Sequence, residues 1–237
     1  MDINNLQIKI FADGADHNQI VNLNKNNYIK GFTTNPSLMR KANITNYEEF
    51  AKKLLNTIKN KPISFEVFSD DINEMEKQAE KIACWGENIN VKIPITNTKG
   101  VSTSNLIEKL SKKGIAVNVT AIFTLTQLQD IVDVIDKNTP AILSVFSGRI
   151  ADTGINPADI ITKSISYSKS KPKCEILWAS TRELLNIFEA DSLGCHIITV
   201  PHNLLGKFDN IGKNLNEFSI ETVKDFYSDA VKAGYKL

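Results

Sequence analysis

Lys92 sits in Asn90-Val91-Lys92-Ile93-Pro94, with apolar residues on both sides of it. An ammonium group is rarely taken out of water without a reason, because desolvation is costly and favours the neutral amine. A neutral amine can attack a ketone and form a Schiff base. The plainer alternative is a strand-end lysine that snorkels to water or pairs with a carboxylate, and spacing alone favours it. Two carboxylates occupy comparable places: Asp13 follows an apolar run ending at Ala12, and Glu66 lies inside Phe65-Glu66-Val67. Such carboxylates shuttle protons when their pKa values are shifted toward the working pH. Asp13 also reads as a loop residue, and Asp16 as the N-cap of a following helix.

Amides, hydroxyls and arginines recur at similar places. Thr33-Thr34-Asn35-Pro36-Ser37 closes one apolar run, and Asn118 and Thr120 share a face of another through the period of two. Asn35 before Pro36 is equally ordinary turn chemistry. Ser144 and Phe146 end the run Ala141 to Phe146. Arg149 in Ser147-Gly148-Arg149 and Arg182 in Ala179-Ser180-Thr181-Arg182 would, with Ser180 and N–H groups at a helix start, form a phosphate pocket. Two surface arginines paired with acids would look the same in sequence.

The elements that position these residues are continuous apolar, β-branched runs: Gln7 to Ala12, Ile29 to Thr33, Ile63 to Phe68, Ile89 to Ile93, Ile115 to Val119, Ala141 to Phe146, Glu175 to Ala179 and His196 to Val200. Runs of this kind, not alternating ones, suit parallel strands covered on both faces. Stretches with helical spacing separate them, among them Tyr47 to Ile58, Ile72 to Cys84, Asn105 to Lys112, Leu125 to Ile135, Pro157 to Ser168 and Arg182 to Phe188. Strands alternating with helices every 25 to 30 residues or so suggest an α/β chain closed into a (β/α)8 TIM barrel, a fold of about 250 residues. An open doubly wound sheet has the same periodicity, but no GxGxxG follows the first run, so dinucleotide binding is disfavoured. No linker divides the chain, which is expected to be one domain over residues 1–237, and Ser219 to Ala233 reads as an additional C-terminal helix that covers a barrel end or meets another subunit. In such a barrel chemistry sits at the C-terminal ends of the strands, where the residues above lie.

Composition narrows the partners. The 28 Lys and Arg against 27 Asp and Glu leave a net charge of +1, with no global field for nucleic acid or an anionic membrane. Cys84, Cys174 and Cys195 form no CxxC pair and no metal-ligand spacing with the three histidines, so neither disulfides nor a metal is expected. The start, Met1 to Gln7, is polar, and no segment approaches the roughly 20 apolar residues of a membrane span. A cytoplasmic protein is expected.

Together these positions resemble the transaldolase family, especially its short-chain branch and the related fructose 6-phosphate aldolases. Thr33-Thr34-Asn35-Pro36-Ser37 looks like the family's TTNPS segment, and Asn90-Val91-Lys92-Ile93-Pro94 like its Schiff-base strand. Asn118-Val119-Thr120-Ala121-Ile122-Phe123 is similar to its NVTLIFS stretch, and Ser147-Gly148-Arg149-Ile150 and Ala179-Ser180-Thr181-Arg182 resemble its phosphate-binding pieces. The resemblance covers nearly the whole chain. It implies that Lys92 condenses with the C2 ketone of a phosphorylated sugar, that Asp13 is the general base and acid, and that Glu66 and Thr120 position the water that carries protons during imine formation and release. Asn35 and Asn118 would hold substrate hydroxyls, with Thr34, Ser37, Ser144 and Phe146 also lining the substrate site, and Arg149, Ser180 and Arg182 would grip the phosphate. No cofactor is implied, and a homo-oligomer is the expected assembly. Glu66 and Phe146 match transaldolases, where the fructose 6-phosphate aldolases carry Gln and Tyr. Val145, Ser147 and Thr181 depart from residues common in the family, and Trp178 is expected to fill the layer behind the sheet.

Overall fold

The computed structural model describes residues 3–237; Met1 and Asp2, from the polar start of the chain, lie outside the described residues. Eight strands alternate with helices among them: β1 (Lys9–Asp13), β2 (Ile29–Thr33), β3 (Ile63–Glu66), β4 (Ile89–Pro94), β5 (Val117–Ile122), β6 (Ala141–Val145), β7 (Cys174–Trp178) and β8 (Ile197–Pro201). Each pairs in parallel with the next, and β8 pairs with β1, so the sheet closes into a (β/α)8 TIM barrel. The helices are α1 (His17–Leu23), α2 (Pro36–Lys41), α3 (Tyr47–Thr57), α4 (Ile72–Ala83), α5 (Ser104–Lys112), α6 (Leu125–Val134), α7 (Ser147–Ala151), α8 (Ala158–Ser168), α9 (Leu185–Ser192), α10 (His202–Leu205) and the C-terminal α11 (Leu215–Ala233).

Closure divides the apolar residues into two layers. The larger joins the outer face of the strands to the helices and includes Phe32, Phe65, Leu54, Ile82, Leu110 and Ile131, together with Trp178 as the sequence suggests. Each such side chain contributes about 1.5–3 kcal/mol when fully buried. The smaller layer contains Phe11, Ile142, Leu177, Ala179 and Ile197, with Phe146 packed against it. Ile142 is in register with Asn118, and Leu177 with Ser144, which places this cluster on the same face as the polar side chains. Because the outer layer carries most of the burial, the inner face is free to hold polar groups toward the C-terminal end.

The element boundaries differ from the sequence expectation where polar groups intervene. The run from Gln7 does not begin a strand at once, because the N–H groups of Gln7 and Ile8 both donate to the Asp191 carboxylate, 2.8 Å away. At its other end β1 extends to Asp13, which pairs with Thr33 and Pro201 and is therefore a strand residue. Ile115 lies in the turn that closes α5, where its N–H donates to the Leu110 carbonyl, so β5 starts at Val117 and runs on to Ile122 through an irregularity at Ala121, φ 60°. The helix expected from Arg182 starts at Leu185, since the Asn186 side chain accepts from the N–H groups of Arg182 and Glu183. The C-terminal helix begins earlier than Ser219, at Leu215, where Asn214 caps it.

Candidate active site

Lys92 lies in the middle of the polar layer. It is 7% exposed, and Glu66, Lys92 and Asn118 are in register on neighbouring strands, so their side chains rise from one level of the same face. The ammonium nitrogen is 3.0 Å from Glu66 Oε2 and donates to the Thr34 carbonyl at 3.3 Å. The plainer reading of a strand-end lysine, pairing with a carboxylate, is therefore part of the arrangement. The pair is shielded from water.

Glu66 is itself held through its backbone. The Tyr47 hydroxyl donates to the Glu66 carbonyl at 2.9 Å and accepts from the Glu66 N–H at 2.8 Å. Burial pushes the Tyr47 hydroxyl well above its usual range, so it remains a protonated, fixed clamp. Thr34 is buried too, and its hydroxyl donates to the Ser64 carbonyl at 2.8 Å, which fixes the carbonyl that meets Lys92.

Asp13 rises from the end of β1. Burial raises its carboxyl above the ordinary value, against the lowering influence of the Lys92 charge, a hydrogen bond from Thr33 and the nearby His202. The Thr33 hydroxyl donates to Asp13 Oδ1 at 2.7 Å and also meets the Thr199 hydroxyl. A carboxyl with a raised pKa beside a buried amine has the character of a general acid and base.

Asn118 is fixed on both sides: Ser144 Oγ donates to its Oδ1 at 2.7 Å, and its Nδ2 donates to Ser64 Oγ at 3.0 Å. Each amide atom retains capacity for one further bond. The Thr120 hydroxyl, two residues along the same strand, is buried and has no hydrogen-bond partner among the described residues. Asn35 caps α2 by accepting from the Leu38 N–H at 2.9 Å, as turn chemistry foretold, while its Nδ2 makes no bond among the described residues. Ser37 stands exposed on the first turn of α2.

The arginines form a second group. Arg149, in α7, is exposed and its guanidinium lies 5.2 Å from the centroid of the Phe146 ring. Phe146 in turn packs on Phe123 and on the inner apolar cluster. Arg182 is exposed and joined to Asp152 by two hydrogen bonds, the Nε one at 3.2 Å. The segments carrying them are pressed together at Gly148, where a Cβ would lie 1.6 Å from the Ser180 carbonyl oxygen, and Ser180 itself is left-handed at φ 64°. No side chain larger than hydrogen fits at Gly148, and such backbone strain at Ser180 costs about 1–3 kcal/mol. The N–H groups of Gly148 and Arg182 already donate within the chain, to Ala179 and Asn186. A cleft of about 470 Å³ lined by Gly148, Trp178, Arg182 and Asn186 opens toward the helices, and neither Lys92, Glu66 nor Asp13 lines it.

The structure thus brings together Lys92, Glu66, Asp13, Thr34, Asn118 and Ser144, with Arg149 and Arg182 on a neighbouring rim. Tyr47, Ser64, Thr199 and His202 were not singled out by the sequence. Ser64 shares the period-two face of Glu66, which was a usable signal; Tyr47 comes from a helix and gave none. The cysteines take no part: burial pushes the Cys174 and Cys195 thiols up to about 12, and Cys84 is exposed.

A closed (β/α)8 barrel with a buried lysine and two carboxylates at the strand ends defines the class. KGPDC from Streptococcus mutans has a similar fold, with a TM-score of 0.57 over 83% of this chain and 89% of that one, at 9% identity. Sequence similarity goes further. A "Probable transaldolase" of Thermoanaerobacter sp. (strain X514) is 34% identical over 97% of this chain and 100% of its own length, and another of Sulfurihydrogenibium sp. (strain YO3AOP1) is 33% identical over 84% and 88%. The family described as Transaldolase/Fructose-6-phosphate aldolase matches residues 10–237, and the chain belongs to that family.

Proposed function

We propose that the chain, acting as one catalytic unit over residues 1–237, is a transaldolase. It takes a dihydroxyacetone unit from fructose 6-phosphate or sedoheptulose 7-phosphate and transfers it to glyceraldehyde 3-phosphate or erythrose 4-phosphate, in the cytoplasm. The observation that carries this reading is the buried Lys92 amine, 3.0 Å from the Glu66 carboxylate. Glu66 takes a proton from the ammonium, and the freed amine attacks the C2 ketone. Thr120 and Glu66 hold the water that leaves as the imine forms. Asp13 then takes the C4 hydroxyl proton while the C3–C4 bond breaks, its electron pair moving into the imine to give an enamine on Lys92. The aldehyde departs. Asn35 and Asn118 hold the hydroxyls of the retained unit until the acceptor arrives and the steps reverse. Arg149, Ser180 and Arg182 grip the phosphate, whose binding free energy aligns the reacting carbons.

The alternative within the family is release of free dihydroxyacetone. Phe146 favours transfer, because at this place a tyrosine hydroxyl would offer water a proton donor and anchor near the imine. The test is to measure fructose 6-phosphate cleavage with and without erythrose 4-phosphate. Transfer predicts turnover that depends on the acceptor; equal dihydroxyacetone release in both reactions would replace transfer with cleavage. A phosphosugar-binding barrel without catalysis predicts no turnover in either.

The assembly we propose is a homo-oligomer joined through α11. None of its residues is buried, and Leu215, Ile220, Val223, Phe226, Tyr227 and Val231 lie within one broad exposed stripe. Phe226→Lys should then reduce the mass measured by light scattering to a smaller assembly, while an unchanged mass would remove α11 from the interface.

A further inference from the structure

The seam between β2 and β3 stops short of the site. Thr33 is in register with Ser64, the Phe32 N–H donates to the Pro62 carbonyl at 2.9 Å, and the Thr34 N–H donates to the Ser64 carbonyl at 3.1 Å. Parallel ladders are evenly spaced, so the next rung would run from the Glu66 N–H to the Thr34 carbonyl, and the one after it from the N–H of residue 36 to the Glu66 carbonyl. Residue 36 is Pro36, which has no N–H to give and opens α2. On the other side of β3 the ladder continues, with the Val67 N–H donating to the Lys92 carbonyl at 3.0 Å. One side chain satisfies both groups that the broken seam leaves on Glu66: the Tyr47 hydroxyl accepts from the Glu66 N–H at 2.8 Å and donates to the Glu66 carbonyl at 2.9 Å. Tyr47 is the first residue of α3, and its ring is packed with centroids 6.3, 5.6 and 6.0 Å from those of Phe65, Phe68 and Trp85.

This exchange of partners releases the Thr34 carbonyl. Relieved of the Glu66 N–H, it accepts from Lys92 Nζ at 3.3 Å. We propose that Tyr47 is a positioning residue for the Lys92 amine: by taking the Glu66 N–H it reserves the Thr34 carbonyl for the amine, and so sets the direction from which the amine attacks. The inference rests on the Schiff-base reading above. An amine free to turn about its Cε–Nζ bond presents its lone pair in many directions. One whose N–H is held by a fixed carbonyl presents it in few, and orientation of that kind lowers the barrier to bond formation. The Thr34 carbonyl is fixed, because Thr34 is buried and its N–H and hydroxyl both donate to the Ser64 carbonyl. Tyr47 acts through Thr34 and exchanges no proton. Without its hydroxyl the Glu66 N–H, which must find an acceptor, would return to the Thr34 carbonyl that the register assigns it and compete there with Lys92.

Two variants separate orientation from packing. Tyr47→Phe removes the hydroxyl and leaves the ring, whereas Trp85→Leu loosens the same aromatic cluster and leaves the hydroxyl. The measurement is the rate at which saturating fructose 6-phosphate becomes trapped on Lys92 by borohydride, read beside the melting temperature. Both variants should melt lower than wild type. Trapping should slow about tenfold in Tyr47→Phe, the value of one hydrogen bond, and stay within about twofold of wild type in Trp85→Leu. An unchanged rate in Tyr47→Phe, or equal slowing in the two variants, would overturn the proposal while leaving the Schiff base intact. Should Tyr47→Phe fail to fold, a crystal structure of the reduced wild-type adduct decides: Nζ on the Thr34 carbonyl with the Glu66 N–H on Tyr47 supports the proposal, and a nitrogen turned away from Thr34 overturns it. Absence of any adduct in the wild-type protein would instead overturn the Schiff-base reading and the inference with it.

Discussion

Lys92 stands on a strand, 7% exposed, with its nitrogen between Glu66 and the Thr34 carbonyl, whereas Arg149 and Arg182 are exposed and stand on a five-residue helix and a loop. The lysine end is held by the barrel itself: its neighbours are fixed by strand register, and Tyr47, Thr34, Ser64 and Ser144 brace them from behind. The arginine end is held by two local contacts, a cation–π stack on Phe146 and an ion pair with Asp152, both of which a ligand can exchange. Bond-making groups need fixed geometry, and pre-organised surroundings supply it. The proposed phosphate grip can be assembled when the ligand arrives, because both guanidinium groups are exposed and their present partners are local.

Substitutions at the two ends should therefore differ in kind. The largest effect belongs to Lys92→Met, which removes the proposed nucleophile and should lower transfer on the order of 10⁴-fold or more. Breaking a buried pair on one side costs about 3–5 kcal/mol of stability, so Lys92→Met with Glu66→Gln should regain thermal stability without regaining any activity. Recovery of activity in the double variant would break the comparison at its stronger end.

Asp13→Asn comes next, with a loss of about 10² to 10⁴-fold expected for a general acid and base. Its effect on stability has the opposite sign. The folded state raises the Asp13 carboxyl above 3.8, so the unfolded chain releases that proton first and the fold loses stability as pH rises from 3.8 through the folded value. The Asn variant should melt higher than wild type at neutral pH, with the gain disappearing below 3.8. A melting curve measured against pH checks both statements.

At the other end Arg182→Ala should raise KM for phosphorylated substrates by about 10- to 100-fold, the range of a hydrogen bond to a charged group, and leave kcat for an unphosphorylated ketose unchanged. Smallest of all is Asp152→Asn. It frees Arg182 from an exposed pair worth about 0–1 kcal/mol, so KM should fall no more than about fivefold. A fall in kcat there would mean that the pair shapes the catalytic end as well.

The same contrast explains what the sequence revealed. Barrel strands are continuous apolar runs, so β2 was bounded without error and a polar residue within a run, such as Lys92 or Glu66, stood out against its neighbours. Asn118 and Thr120 share a face through the period of two. What remained hidden depends on contacts between distant segments. Tyr47 reaches Glu66 from α3, and Thr199 meets Thr33 across 166 residues, neither of which leaves a local pattern. His202 leaves no local pattern either, because its partners Gly14 and Gln19 lie at the other end of the chain. The start of α9 at Leu185 rather than Arg182 has a similar cause: the Asn186 side chain accepts from the N–H groups of Arg182 and Glu183, which precede it in the chain.

The proposed mechanism joins the amine at position 92 covalently to the substrate. Incubation with fructose 6-phosphate, reduction with borohydride and mass analysis of the proteolytic peptides measures this directly. One added dihydroxyacetone-derived or ketose-derived group is expected, located on the peptide containing Lys92 and absent when Lys92→Met is treated in the same way. An adduct on a different lysine, or turnover of the sugar with no reducible adduct at all, would contradict it.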